Sequence, residues 1–166
     1  MKLNDNSIKT MEILYNGTNN FIVGTSGDRK TIAIDALKYL DAGNKTVIVT
    51  DPYLFTKSDT DYESDLTDIL KSLAASKILF CTNNNKNDQS FFQRVQSALI
   101  GHQCKLILNQ ALTDCHDRFW YCTESDKAVV FGTSLNGLCK RICRVDALSD
   151  AETNELKKEL QTRGII

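Results

Sequence analysis

The sequence predicts an α/β fold in one domain, with a mixed central sheet and helices on its faces. Three observations predict it. Short β-branched and apolar runs alternate with longer segments of helical period through the first two thirds of the chain. The last third changes to strands joined across a short polar turn. The chain has 166 residues, 42% hydrophobic and 25% charged with a single proline, which suits one ordered core. No linker, repeat or low-complexity stretch divides it, so residues 1–166 are expected to form a single domain.

Met11 to Tyr15 and Phe21 to Gly24 are short apolar runs joined by Asn16-Gly17-Thr18-Asn19-Asn20, the pattern of a hairpin or two short strands. From Asp28, Ala33, Ala36, Leu37 and Leu40 recur at helical spacing until Gly43. Thr46 to Val49 is a β-branched strand ended by Asp51-Pro52, which places Asp51 at a strand's carboxyl end. Thr60 with Glu63 has capping-box spacing, opening a helix with the stripe Tyr62, Leu66, Ile69, Leu70 and Leu73. A strand over Lys77 to Thr82, a helix marked by Phe92, Val95, Ala98 and Leu99, and a strand over Lys105 to Leu108 continue the alternation. Phe119 to Thr123 and Lys127 to Phe131 flank Glu124-Ser125-Asp126 as an antiparallel hairpin. A strand from Arg141 to Leu148 follows. Ser149 with Glu152 repeats the capping box and opens a terminal helix with Leu156 and Leu160 inward.

Twenty basic residues against 21 acidic ones give a formal charge of −1, so any phosphate binding must be local rather than a property of the whole surface. No apolar run reaches the roughly 20 residues of a spanning helix, and Met1 to Asn6 lacks the apolar core of a signal peptide. A cytoplasmic protein without a transmembrane segment is expected. The six cysteines then read as free thiols. Cys115, His116, Cys122, Cys139 and Cys143 crowd one segment, but they lack paired Cys-x-x-Cys knuckles, and neither metal nor cofactor is expected.

Chemistry concentrates in Cys115 to Cys122 and in Gly132-Thr133-Ser134-Leu135-Asn136. On a strand, His116, Arg118 and Trp120 share one face, which puts a nucleophile and a cation on one wall. Ser134 and Asn136, also two apart, can bring a hydroxyl and an amide to that wall when the hairpin returns, and together these groups suit a tetrahedral phosphate. Lys140, Arg141 and Arg144 form a compact basic cluster that could touch a phosphate backbone. Asp51, Thr133 and Trp120 complete the candidate substrate-binding residues, Trp120 more as packing than as a stacking platform.

These residues resemble the phospholipase D superfamily, with its His-x-Lys, following Asp and Gly-Ser-x-Asn. The likeness is to a bacterial branch reading His-Asp-Arg-Phe, Gly-Ala-Ser-Leu and an upstream Asp-Pro-Tyr. This chain has His116-Asp117-Arg118-Phe119, Gly132-Thr133-Ser134-Leu135 and Asp51-Pro52-Tyr53, and the resemblance covers about residues 45 to 148. It departs where Arg118 replaces lysine, where Thr123 stands at the aspartate position, and where Thr133 replaces a glycine.

The resemblance implies a phospholipase D-like domain and a metal-independent phosphodiesterase, of nuclease type, working through a phosphohistidine. His116 would be the nucleophile, with Arg118, Ser134 and Asn136 holding the phosphate oxygens. A homodimer would share the site across a twofold axis, and related bacterial domains accompany defence or mobile-element systems of several proteins. The alternative is a catalytically silent module that binds nucleic acid, a phosphoinositide or a partner protein. Loss of the aspartate and the arginine replacement favour binding, whereas retention of His116, Ser134 and Asn136 favours chemistry, which is the main expectation.

Overall fold

The computed structural model describes residues 21–56, 59–83, 86–100, 105–109 and 115–166. The expected strand over Met11 to Tyr15 and the residues His102 and Cys104 lie outside them. The described residues form seven strands: β1 (Phe21–Val23), β2 (Thr46–Thr50), β3 (Lys77–Cys81), β4 (Lys105–Asn109), β5 (Arg118–Cys122), β6 (Lys127–Phe131) and β7 (Cys143–Ala147). Among the described residues four α-helices lie between or after them: α1 (Arg29–Leu37), α2 (Tyr62–Ser72), α3 (Gln89–Leu99) and α4 (Asp150–Thr162).

The strands make one open sheet in the order β1-β7-β6-β5-β2-β3-β4. β2, β3 and β4 run parallel, linked by α2 and α3 as crossover connections require. β5 returns antiparallel against β2, and β6, β7 and β1 extend the sheet antiparallel from there. This arrangement collects the carboxyl ends of β2 and β6 and the start of β5 at one end of the sheet.

Alternation along the strands splits the core. Val47, Val49, Trp120, Val129 and Phe131 face α1, α2 and α3, whereas Ile48, Tyr121 and Ala128 face α4 through Leu160 and Ile165. Asp28 caps α1 by accepting from the Lys30 amide, and the chain leaves that helix early, through a 3-10 turn at Lys38–Leu40 and Asp41 at φ 49°, before the expected stop at Gly43. Ser149 and Glu152 close the expected capping box on α4.

The other expected capping box is absent. Asp61 occupies the N-cap of α2 without a side-chain bond, and Glu63 instead accepts from Arg94 of α3. A cross-helix guanidinium competes for the carboxylate that the local pattern assigns to the cap.

The segment after β2 is held by burial on both sides. Phe55 sits edge-on to Phe80, Phe91 and Phe92, with centroids 5.0, 5.8 and 5.0 Å away. Each such contact adds about 0.5–1.5 kcal/mol beyond the apolar area buried. The Tyr62 hydroxyl donates to the Leu54 carbonyl at 2.6 Å. Residues 51–55 are thus fixed by the core, and the side chains of Asp51 and Tyr53 take their positions from it.

Candidate functional site

Asp51 is wholly buried at the carboxyl end of β2. Its carboxylate accepts the Ser134 hydroxyl at 2.7 Å and the Tyr53 amide at 2.9 Å. Burial pushes its pKa up from the ordinary 3.8 to about 6, against the Ser134 and Tyr53 hydrogen bonds and the positive charge of Arg118, which pull it down. Ser134 is itself buried. Its hydroxyl is therefore directed inward to Asp51, where a role in holding phosphate oxygens would need it facing outward.

Ser134 and Asn136 do not stand on a strand. Residues Leu135–Gly137 make a 3-10 turn, and the Asn136 amide donates to the Tyr53 carbonyl at 3.1 Å. Together the two bonds latch the connection after β6 to the end of β2. Thr133 supports the same turn: a Cβ at Gly137 would lie 2.7 Å from its Oγ1, so that position accepts only glycine without rearrangement.

Arg118 begins β5, and its Nη1 donates to the carbonyl of His116. The guanidinium carbon lies 5.6 Å from the centroid of the Tyr53 ring, within cation–π range, and Tyr53 is 38% exposed. Nε of Arg118 is buried without a hydrogen-bond partner. Among the described residues no carboxylate forms an ion pair with this arginine. His116 is exposed beside it, outside the strand.

The remaining candidates separate. Trp120 is fully buried and packs edge-on to Phe131, with centroids 6.3 Å apart, so it is a core residue and not a substrate contact. Lys140 is ion-paired with Asp59 at 2.5 Å, which binds it into a network rather than leaving it for a phosphate. Arg29 centres that network, bonding Asp59 at 3.1 Å and Asp65 at 2.5 Å and lying 5.1 Å from the Tyr62 centroid. Arg29 and Lys140 hold the Asp59 carboxyl well below the usual range. Pattern reading passed over Arg29; its one signal is a charged residue at the first position of α1, directly after the Asp28 cap. Arg141 is exposed at the same end of the sheet, between Lys140 and β7.

Thr123 lies at the opposite end of the sheet, where its hydroxyl donates to Glu124 at 2.6 Å while that carboxylate accepts the Thr46 amide. Asp126 accepts from Tyr121 and Lys157. Neither acid reaches the Asp51 end. The described cysteines are free, and burial pushes the Cys81 thiol up to about 12 and those of Cys115, Cys139 and Cys143 in the same direction. Among the described residues no three His, Cys, Asp or Glu side chains converge as metal ligands.

No family model matches the chain, and no curated protein matches it. Among solved structures it is similar to TrmBL2, described as an archaeal chromatin protein with a novel mode of DNA binding. The identity is 9% and the TM-score 0.48, over 95% of this chain and 58% of that one, so the chain spans less than two thirds of that protein.

These findings correct the phospholipase D-like expectation. No model of that superfamily matches the chain, and the described strands form one open sheet in a mixed α/β domain. The enzyme reading is corrected with it, including the phosphohistidine nuclease and the link to defence systems. The physical reason lies in the latch: Ser134 is given to Asp51, Asn136 to Tyr53, and nothing among the described residues orients His116 as a nucleophile. The twofold dimer was expected because hydrolysis needs two histidines, and that motive falls with the chemistry. No helix among the described residues is long and apolar enough to cross a membrane.

Proposed function

We propose that the chain is a non-catalytic module that binds nucleic acid through its phosphate backbone, at the end of the sheet where β2, β5 and β6 converge. One observation carries this reading: the Arg118 guanidinium is held by a carbonyl and an aromatic face, with no ion-paired carboxylate among the described residues. An arginine placed in this way keeps its charge for an incoming anion, and its planar fork suits phosphate oxygens. Tyr53 adds an exposed ring on which a base can stack. Exposed His116 and Arg141 border the same end, with the Asn136 amide beside Tyr53. Ser134 and Asp51 act as positioning residues, since their bond fixes the loop that carries Asn136.

Fluorescence anisotropy with labelled single-stranded and duplex oligonucleotides tests the reading. Saturable, salt-dependent binding is expected. Arg118→Ala should weaken it by about tenfold and reduce the salt slope by about 1, with Arg118→Lys intermediate. Equal affinity in the wild type and Arg118→Ala, or no saturation up to about 10⁻⁴ M at low salt, would remove the proposal.

A further inference from the structure

A second surface lies on the other face of the same sheet. Between α4 and strands β5 to β7 runs an open groove of about 830 Å³. Its floor is apolar, made by Phe119, Val130, Leu148 and Leu156. The groove exists because α4 is anchored toward its carboxyl end: Leu160 and Ile165 are buried against Tyr121 and Ile48, and Lys157 bridges to Asp126. Toward its amino end the helix buries only Thr153. Phe119 pairs with Val130 and Val130 with Asp146, so these three side chains form one cross-strand row beneath the opening. Ile22 pairs with Arg144, a lining residue, on the edge strand beyond the groove, where it is 67% exposed.

The rim has the opposite character to the Arg118 end. Five of the lining side chains are carboxylates, at Asp117, Asp146, Glu152, Glu155 and Glu159, against one cation, Arg144. Arg144 pairs with Asp146, Lys158 with Glu155 and Arg163 with Glu159, each at 2.7 Å. Exposed pairs of this kind are worth little and exchange readily for another cation. An acidic rim repels nucleic acid and anionic lipid. The open shape cannot enclose most of a small molecule's surface, as pockets for such ligands do. An apolar floor under an acidic rim instead suits a helix with apolar side chains on one face and basic ones flanking them.

We infer that this groove docks a basic amphipathic segment of a partner protein. Leucine-like side chains spaced three and four residues apart fill the floor, and lysines or arginines meet Glu155, Glu159 and Asp117. Charge sorts the two surfaces, so the partner and the nucleic acid approach from different sides.

The probe is a labelled Leu/Lys amphipathic peptide of roughly 14 residues, titrated against the full chain by anisotropy and by amide chemical shifts. Saturable binding is expected, weakening with salt, with shifts at Phe119, Val130, Leu148 and Leu156. Glu155→Lys combined with Glu159→Lys should weaken it by about tenfold or more, while Glu63→Lys on α2 leaves it unchanged. Thermal melts check that the double variant is folded; should it melt early, Glu155→Gln with Glu159→Gln gives the same comparison with a smaller loss. Equal binding by the groove and α2 variants, or shifts centred elsewhere, would overturn the inference. So would self-association by light scattering that the same groove variants abolish, because the occupant would then be a second copy of this chain.

Discussion

At the scale of single residues, the Asp51 to Ser134 bond is the most informative contact. A buried carboxylate whose pKa stands at about 6 makes folding depend on pH. The native state favours the protonated form, so this group's contribution is fully present below about 3.8, declines as pH rises, and is lost above about 6. The displacement corresponds to about 3 kcal/mol. Asp51→Asn keeps an acceptor for Ser134 and removes the titration. Urea unfolding of the wild type between pH 4 and 7 should show the loss, and Asp51→Asn should flatten that window. Parallel curves for the two proteins would mean that Asp51 does not titrate there. In the sequence, Asp51 was legible as a strand-end residue, and Ser134 and Asn136 as polar groups brought to the wall of His116 and Arg118 rather than to Asp51. Their roles were not legible, because direction is set by burial: a hydroxyl 83 residues away along the chain turns inward only once the end of β2 is closed by Leu54 and Phe55.

At the scale of elements, local pattern served where the interactions were local. The α4 cap needs only Ser149 and Glu152, three residues apart, and forms as their spacing implies. Ser149→Ala should cost about 1 kcal/mol in a thermal or urea melt. Thr60→Ala should change stability by less than about 0.5 kcal/mol, because Thr60 does not cap α2. Equal losses for the two variants would show that the caps are assigned wrongly. Arg29 reaches across to the Asp59 and Asp65 carboxylates and is nearly buried. Arg29→Ala leaves those acids without their main partner, and a loss of about 3–5 kcal/mol is expected by urea unfolding. The strands among the described residues were read to within two residues at each end, since β-branched runs bounded by polar turns carry that information. The α1 stop was misplaced because Asp41 adopts a left-handed conformation usually left to glycine.

At the scale of the whole molecule, neither strand order nor the placement of charge is written in local pattern. β5 joins β2, and β7 lies between β6 and β1, through pairings between residues far apart in sequence. A formal charge of −1 conceals a surface with a cationic, aromatic end and an acidic groove on one face. The phospholipase D-like motif was present as a string of residues, yet the fold gives its serine and asparagine to a latch. The central claim is that the Arg118 end binds nucleic acid. The direct measurement is a titration of the isotope-labelled chain with an unlabelled oligonucleotide, following amide and arginine side-chain shifts. Saturable shifts gathered at Tyr53, His116, Arg118, Asn136 and Arg141, with the α4 groove unmoved, are the predicted result. Absence of saturable shifts, or shifts gathered at α4 or at the Thr123 end, would contradict it.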